Sequence, residues 1–347
     1  IAQGRVRALW VMGTNPAVSL PNADAVRAAM KKLDLLVISE KVKSNDSINS
    51  GAHVLLPAHA WGEKSGTVTN SERRISRQRG FLPPPGEAKA DWWIMSEVAK
   101  RLGYGAAFAY KSAADIFREH AELSAFENGG SRDFDIGAMA SIADDEFEAL
   151  PPFMWPMPKD AAEPMPRFFA EGGYYTSDRK GHFIAPDIPM LRGATSEARP
   201  LRLNTGRIRD QWHTMTRTGL SPRLGQHLPE PYVEIHPADA MQADIIDGGY
   251  ARLATDLGQC VLNVVVSERQ QRGMLFAPIH WSEENSASAR IGALVAPFTD
   301  PFSGQPENKA TPIAIEAVAF AQRGFVLSRK AMSFPDGVWW SRVAVTG

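Results

Sequence analysis

Apolar residues near the start of the chain gather into short runs separated by helical patterns. Residues 8–12 (Ala-Leu-Trp-Val-Met) read as a buried strand, and Gly13-Thr-Asn-Pro16 reads as a turn. Residues 23–33 follow as a helix, with Val26, Met30 and Leu33 sharing one face and Asn22 standing where an N-cap side chain belongs. Residues 35–39 and 53–57 form a second and a third strand. A strand, helix, strand alternation of this kind predicts a parallel sheet with right-handed crossovers. Further on, residues 90–102 predict a helix that packs Trp92, Met95, Ala99 and Leu102 into the core as one stripe.

From about residue 110 to 199 the periodicity fades. Residues 133–148 are acidic and residues 151–166 are dense in Pro and Met, which reads as an excursion between domains. After Pro200 the character turns to β. Residues 232–236, 249–255, 259–267 and 274–281 are strand-like and are separated by the turn signals Asp247-Gly-Gly, Asp256-Leu-Gly and Arg272-Gly. Short strands with such turns predict a compact β-barrel. The expected organisation is therefore an α/β parallel-sheet (Rossmann-like) partial domain over residues 1–125, a connection over 126–197, a barrel over 198–325 and an extension over 326–347. Neither internal repeats nor heptads are present.

Composition narrows the function classes. A chain of 347 residues exceeds the usual size of a single core, so two domains are natural. Lys and Arg total 38 against 39 for Asp and Glu, which leaves no net field to attract nucleic acid or a membrane surface. The single cysteine, Cys260, can close no internal disulfide and cannot by itself hold a zinc or iron–sulfur site, so a reducing cytoplasm is the expected compartment. No apolar run approaches the roughly 18 to 20 residues that cross a bilayer, and no secretion signal stands at the start. The chain opens at Ile1 and enters a strand almost at once, as expected of an excised or processed piece.

Two segments fall beyond the carboxyl ends of the first two strands, where open parallel sheets bind ligands: Gly13-Thr-Asn-Pro16 and Ser39-Glu40. The turn offers backbone N–H groups beside a helix start, suited to phosphate, and the acid suits ribose hydroxyls or a guanine edge. A nucleotide site is one reading, and a plain tight turn with a solvated strand end is the other. A second cluster runs from Thr205 through Arg207, Arg209 and His213 to Thr214, then on to Thr216, Arg217 and Thr218. Its hydroxyls and guanidiniums could grip phosphates, or it could be a polar loop anchored by a buried Trp. Familiar catalytic constellations are absent: there is no His-Glu-x-x-His, no Gly-x-Ser-x-Gly and no P-loop. Cys260, flanked by apolar residues in mid-strand, reads as a small buried hydrophobe. Glu72-Arg-Arg74 reads as a solvated charge run or a structural ion-pair site.

Taken in order, these segments resemble the molybdopterin oxidoreductases of the dimethyl sulfoxide reductase superfamily. The resemblance is carried by Trp10-Val-Met-Gly-Thr-Asn-Pro16, Val54-Leu-Leu-Pro57, Trp61-Gly-Glu-Lys-Ser-Gly-Thr67, Asn70-Ser-Glu-Arg-Arg74, Thr205-Gly-Arg207, His236-Pro-Ala-Asp239 and Asp300-Pro-Phe-Ser-Gly-Gln-Pro-Glu-Asn-Lys309. Within the superfamily, Arg209-Asp-Gln-Trp-His-Thr-Met-Thr-Arg-Thr-Gly219 and Ser303-Gly-Gln-Pro306 are most similar to the C-terminal half of assimilatory nitrate reductase catalytic subunits. The resemblance implies a double-psi form for the barrel. It also implies molybdenum held by two molybdopterin guanine dinucleotides as cofactor. Positions matching the family's dinucleotide contacts are Asn15, Ser39, Glu40, Lys64, Asp91, Thr205, Gly206, Arg207, Ile208, Arg209, Asp210, Gln211, Trp212, His213, Thr214 and Lys309. His280 and Trp281 stand where the barrel approaches the pterins, as cofactor contacts or as lining of the substrate funnel, and Gly292 stands where relatives often carry Asn, so a side-chain hydrogen bond would be lost there or replaced by backbone.

The family's metal ligand and its [4Fe–4S] cysteines precede the segment seen here, so the resemblance assigns no catalytic and no metal-ligating residue to this chain. It implies an N-terminal half of the same protein as partner, nitrate as substrate and an electron donor that is an NAD(P)H-flavin subunit, a ferredoxin or a flavodoxin. This chain alone is then expected to be inactive. A formate dehydrogenase-type large subunit and a non-catalytic nucleotide-binding module are the alternatives.

Overall fold

A computed structural model describes all residues except 162, 166, 171, 189, 331 and 344–347. Two compact units emerge, one formed by Ile1–Leu56 with Pro189–Gly347 and the other by Pro57–Ile188. Contacts therefore join the first fifty-odd residues to the barrel across a long stretch of chain, a grouping that the linear reading of four successive segments does not contain.

The first unit begins with β1 (Ala8–Met12), the short α1 (Pro16–Ser19), α2 (Ala23–Met30), β2 (Leu35–Glu40) and β3 (Val54–Pro57). β1 and β2 run parallel, pairing Ala8 with Leu35 through Met12 with Ser39, and the sheet order is β1-β2-β3. Val11, Leu36 and Ile38 close over Met30 and Leu33, so the face predicted for the helix is the one that packs. Asn22 corrects the expectation of a side-chain cap. Its backbone is left-handed (φ 49°) and its side chain makes no cap hydrogen bond, while its N–H donates to Val295 O at 2.8 Å.

The second unit holds β4 (Gly66–Thr69), β5 (Arg74–Gln78), α3 (Asp91–Ala99), α4 (Ala113–Ala125), α5 (Asp144–Ala149) and the two-residue β6 (Phe153–Met154). The α3 stripe expected from sequence is only partly the core face: Ala99 is buried as expected, but Met95 is 45% and Leu102 69% exposed, and Ile94 and Ser96 are buried in their place. Apolar residues lie almost all round this helix, so their period cannot select a face. Part of the supposed excursion is core. Ser112 and Asp115 form a capping box that starts α4, and Phe117 packs with Ile75, Ile136, Phe147, Leu150 and Phe153. At Glu72-Arg-Arg74 the Arg73 guanidinium lies over the Phe168 ring, 3.9 Å from its centroid.

The first unit resumes with β7 (Leu201–Gly206), α6 (Pro222–Gly225), β8 (Tyr232–Ile235), α7 (Pro237–Gln242), β9 (Tyr250–Ala254), β10 (Gln259–Val266), β11 (Met274–Pro278) and β12 (Thr311–Val318). These six strands close a barrel in the order β10-β8-β11-β7-β12-β9. The pairs β7–β11 and β8–β10 are parallel and the other four are antiparallel, which gives the mixed double-psi barrel. Period-two alternation sends Leu201 and Leu203, Val233 and Ile235, Ala251 and Leu253, and Leu262 and Val264 inward. Each Leu, Ile or Val among them contributes about 1.5–3 kcal/mol when fully buried. Cys260 lies among them, as expected of a small hydrophobe. β7 and β12 were not anticipated as strands.

Within this unit a charged seam ties the parallel sheet to the barrel. Arg290 is buried, donates to Ala17 O at 3.0 Å and to Glu283 at 3.0 Å, and pairs with Asp24. Arg27 meets Glu283 from the other side at 2.5 Å.

Candidate nucleotide site

The carboxyl ends of β1 and β2 and the loop after β7 come together in the first unit. The turn after β1 is closed by Gly13 N–H donating to Ser39 O at 3.0 Å. Asn15 is buried: its Oδ1 accepts from Ser47 Oγ at 2.6 Å and from Ser47 N at 3.1 Å, and its Nδ2 points to Thr214 Oγ1 at 3.5 Å. That last contact is long, yet it joins a loop nearly two hundred residues away. Ser39 is fully buried, with its Oγ accepting from Trp10 Nε1 at 2.9 Å. Glu40 is buried too, not a solvated strand end, and accepts from the Lys41 N–H at 2.8 Å.

The β7 loop is pinned at its start and from beneath. Thr205 Oγ1 donates to Asn308 O at 2.8 Å, and Lys309 Nζ donates to Thr205 O, so two of the predicted positions hold each other. At Gly206 a Cβ would lie 2.8 Å from the Phe276 ring. Ile208 N–H donates to His280 Nε2 at 2.9 Å, and His280 Nδ1 donates to His213 O at 2.6 Å. Asp210 pairs with His227 at 2.6 Å and Arg209 at 3.1 Å; first His227 and then Arg209 holds its carboxyl below the usual range. Gln211 is buried and donates to Leu228 O at 3.1 Å, while its Oε1 has no partner. The buried Trp that the polar-loop reading called for is absent from the loop: Trp212 is 51% exposed, with the Arg217 guanidinium 5.8 Å from its ring centroid.

His213 is exposed on a left-handed backbone (φ 44°), followed two residues later by Met215 at φ 60°. Desolvation, and then the charges of Arg207, Lys41 and Arg217, push its imidazole below the ordinary value. These three cations thus share one locality with the carboxyl end of β2. Arg217 belongs to the cluster whose guanidiniums were read as suited to phosphate, whereas Lys41 was not singled out, although it directly follows Glu40. The groups fit an anionic nucleotide: cations at a loop whose backbone twice turns left-handed, a hydroxyl at Thr214, and the Glu40 carboxylate as an acceptor for a base edge or a ribose hydroxyl.

The remaining predicted positions fall elsewhere. Lys64 and Asp91 belong to the second unit and pair with each other at 2.6 Å. His280 and Trp281 are fully buried. Gly292 sits at the seam, where a Cβ would lie 2.3 Å from Val18 O and 2.8 Å from Leu20 O. A side chain has no room there without a shift of backbone, so close packing by itself accounts for a glycine at this position. Among the described residues no three His, Cys, Asp or Glu side chains converge as a metal site would require, and no helix is long and apolar enough to cross a membrane.

Residues 201–312 match the family model described as Molydopterin dinucleotide binding domain, and residues 1–101 match Molybdopterin oxidoreductase. The chain belongs to the molybdopterin oxidoreductases. Nitrate reductase of Klebsiella oxytoca is 46% identical, covering 100% of this chain and 39% of that protein. The assimilatory nitrate reductase catalytic subunit of Bacillus subtilis is 32% identical over 86% of the chain and 41% of the relative. The F420-dependent formate dehydrogenase 1 subunit alpha of Methanococcus maripaludis is 31% identical over 90% and 44%. In fold the chain is similar to acetylene hydratase from Pelobacter acetylenicus, with a TM-score of 0.65 at 18% identity, covering 90% of this chain and 44% of that one. The chain spans about two fifths of the length of the curated relatives it matches.

Proposed function

We propose that this chain forms the guanine-dinucleotide cradle of an assimilatory nitrate reductase, in which molybdenum carried by two molybdopterin guanine dinucleotides serves the reduction of nitrate to nitrite. The observation that carries this reading is the gathering of Arg207, His213, Arg217 and Lys41 beside the buried Asn15, Ser39 and Glu40 at the ends of two parallel strands. The 46% identity to a nitrate reductase supports the choice of substrate. When bound, the molybdenum centre supplies oxygen-atom transfer and two-electron chemistry. Everything this chain does is positioning. Arg207, Arg217 and Lys41 offer charge to a pyrophosphate, Thr214 and backbone N–H groups complete its hydrogen bonds, and Glu40 accepts from a guanine edge or a ribose hydroxyl. Lys64 and Asp91 hold one another until a dinucleotide competes for them.

The metal ligand and a [4Fe–4S] cluster belong, on this reading, to the part of the relatives' length that this chain does not span. Electrons then enter there from an NAD(P)H-flavin subunit, a ferredoxin or a flavodoxin, in the cytoplasm. The likeness to a formate dehydrogenase favours a second reading in which the same cradle serves formate oxidation. The test is to isolate the complete protein that carries this sequence, measure molybdenum and acid-released guanine nucleotide, and assay nitrate reduction with a reduced viologen against formate oxidation with an oxidised one. Nitrate turnover that falls at least tenfold in Arg207→Gln supports the proposal. Formate turnover without nitrate turnover replaces it with the second reading, and a protein lacking guanine nucleotide refutes both.

A further inference from the structure

His280 holds the nucleotide loop at two separated points. It stands just beyond β11 and is fully buried, and its two ring nitrogens meet the loop at Ile208 and His213, five residues apart. Between those points lie Arg209, Asp210, Gln211 and Trp212. The two partners dictate the ring's protonation. A carbonyl oxygen only accepts, so Nδ1 carries a hydrogen toward His213 O; an amide N–H only donates, so Nε2 is bare toward Ile208. One neutral tautomer satisfies both contacts, and a second proton would set Nε2–H against Ile208 N–H.

The loop needs such a tie. His213 and Met215 hold left-handed backbone that side chains rarely adopt, and the cations Arg207 and Arg217 bracket the stretch and repel one another.

We propose that His280 is a positioning residue: as the neutral tautomer protonated on Nδ1, it fixes residues 208–213 from inside the barrel and so places the cationic loop for a guanine dinucleotide that His280 itself does not touch. This rests on the cradle reading above. The groups that face the ring are His213 and Arg207: burial first, and then the charges of His213 and Arg207, outweigh the favouring hydrogen bond to the His213 carbonyl and oppose protonation, so the staple persists below the ordinary imidazole range before it opens.

The test uses the complete protein with His280→Phe, which keeps the bulk and neither hydrogen bond, and His280→Gln, whose amide can donate and accept but does not titrate. Hydrogen exchange of the 206–214 segment, corrected for intrinsic pH dependence, is read beside acid-released guanine nucleotide per chain. The expected result is exchange at least tenfold faster in the Phe variant with nucleotide content down at least tenfold, and intermediate protection in the Gln variant. Acidification should unprotect the wild type while the Gln variant keeps a flat pH profile. Unchanged protection in both variants overturns the staple, and faster exchange with full nucleotide content overturns its role in positioning. A wild type without guanine nucleotide would sink the cradle reading, while the exchange data would still judge the staple. Should the Phe variant not fold, the Gln variant decides: a flat profile supports the proposal, and a wild-type profile refutes it.

Discussion

Replacing Gly292 with Ala tests whether the seam between the parallel sheet and the barrel is as close as the structure shows. The added Cβ would stand 2.3 Å from Val18 O and 2.8 Å from Leu20 O, both backbone atoms that no rotamer change can move. Ordinary contact requires separation by about 1 Å more, and overpacking of this kind costs roughly 1–3 kcal/mol. That shift also strains two neighbours, Asn22 N–H to Val295 O at 2.8 Å and Arg290 Nη1 to Ala17 O at 3.0 Å. Losing a hydrogen bond made by a charged group costs about 1.5–3 kcal/mol. A destabilisation of about 3 kcal/mol or more is therefore expected, which in a folding unit of about 150–250 residues lowers Tm by roughly 6–12 °C. The assay is calorimetry of the complete protein at matched scan rates, with Gly292→Asn as the second variant. If either variant melts within about 1 °C of wild type, the two backbones are not in contact and the packing account of Gly292 fails. If the Asn variant also retained more guanine nucleotide, the hydrogen-bond reading would return.

Three further outcomes are expected. Burial pushes the Cys260 thiol up to about 12, so it should resist a thiol reagent at pH 8 in the native protein and react only on unfolding; prompt native labelling would contradict its place in the barrel core. Lys64 and Asp91 are each about a third exposed, so Lys64→Met should cost under about 1 kcal/mol of stability, measured as a melting shift; a large loss of nucleotide with little loss of stability would mark direct contact. Burial of His280 and partial desolvation of the more exposed His213 are the first causes that hold both below the ordinary imidazole value of 6.5, so between that value and lower pH the unfolded chain binds more protons than the folded one. Stability should then fall as pH drops below 6.5 and gain nothing from these groups above it; a melting temperature flat through that window, or rising on acidification, would contradict the assignment.

Local pattern was enough to read β1, β2 and the barrel strands β8 to β10, because one-sided burial writes period two or an apolar run directly into the residues. It also brought Asn15, Ser39 and Glu40 to one sheet edge, since parallel strands place their carboxyl ends together. β7 was hidden because its last residues, Thr205 and Gly206, look like the start of the polar loop they feed. α4 was hidden within a stretch whose acids and prolines masked Phe117, Phe147 and Phe153, although the Ser112–Asp115 capping box was there to be read.

What the residues determined alone is chemistry and order: which side chains can hold a phosphate, which strands alternate, and in what succession the family's motifs run. Tertiary structure decided proximity. That Thr214 meets Asn15, that Arg290 clasps Asp24, and that His280 lies under the loop are contacts across dozens to hundreds of residues. No local period encodes such distances; they arise when the barrel closes and Gly292 lets the sheet come against it.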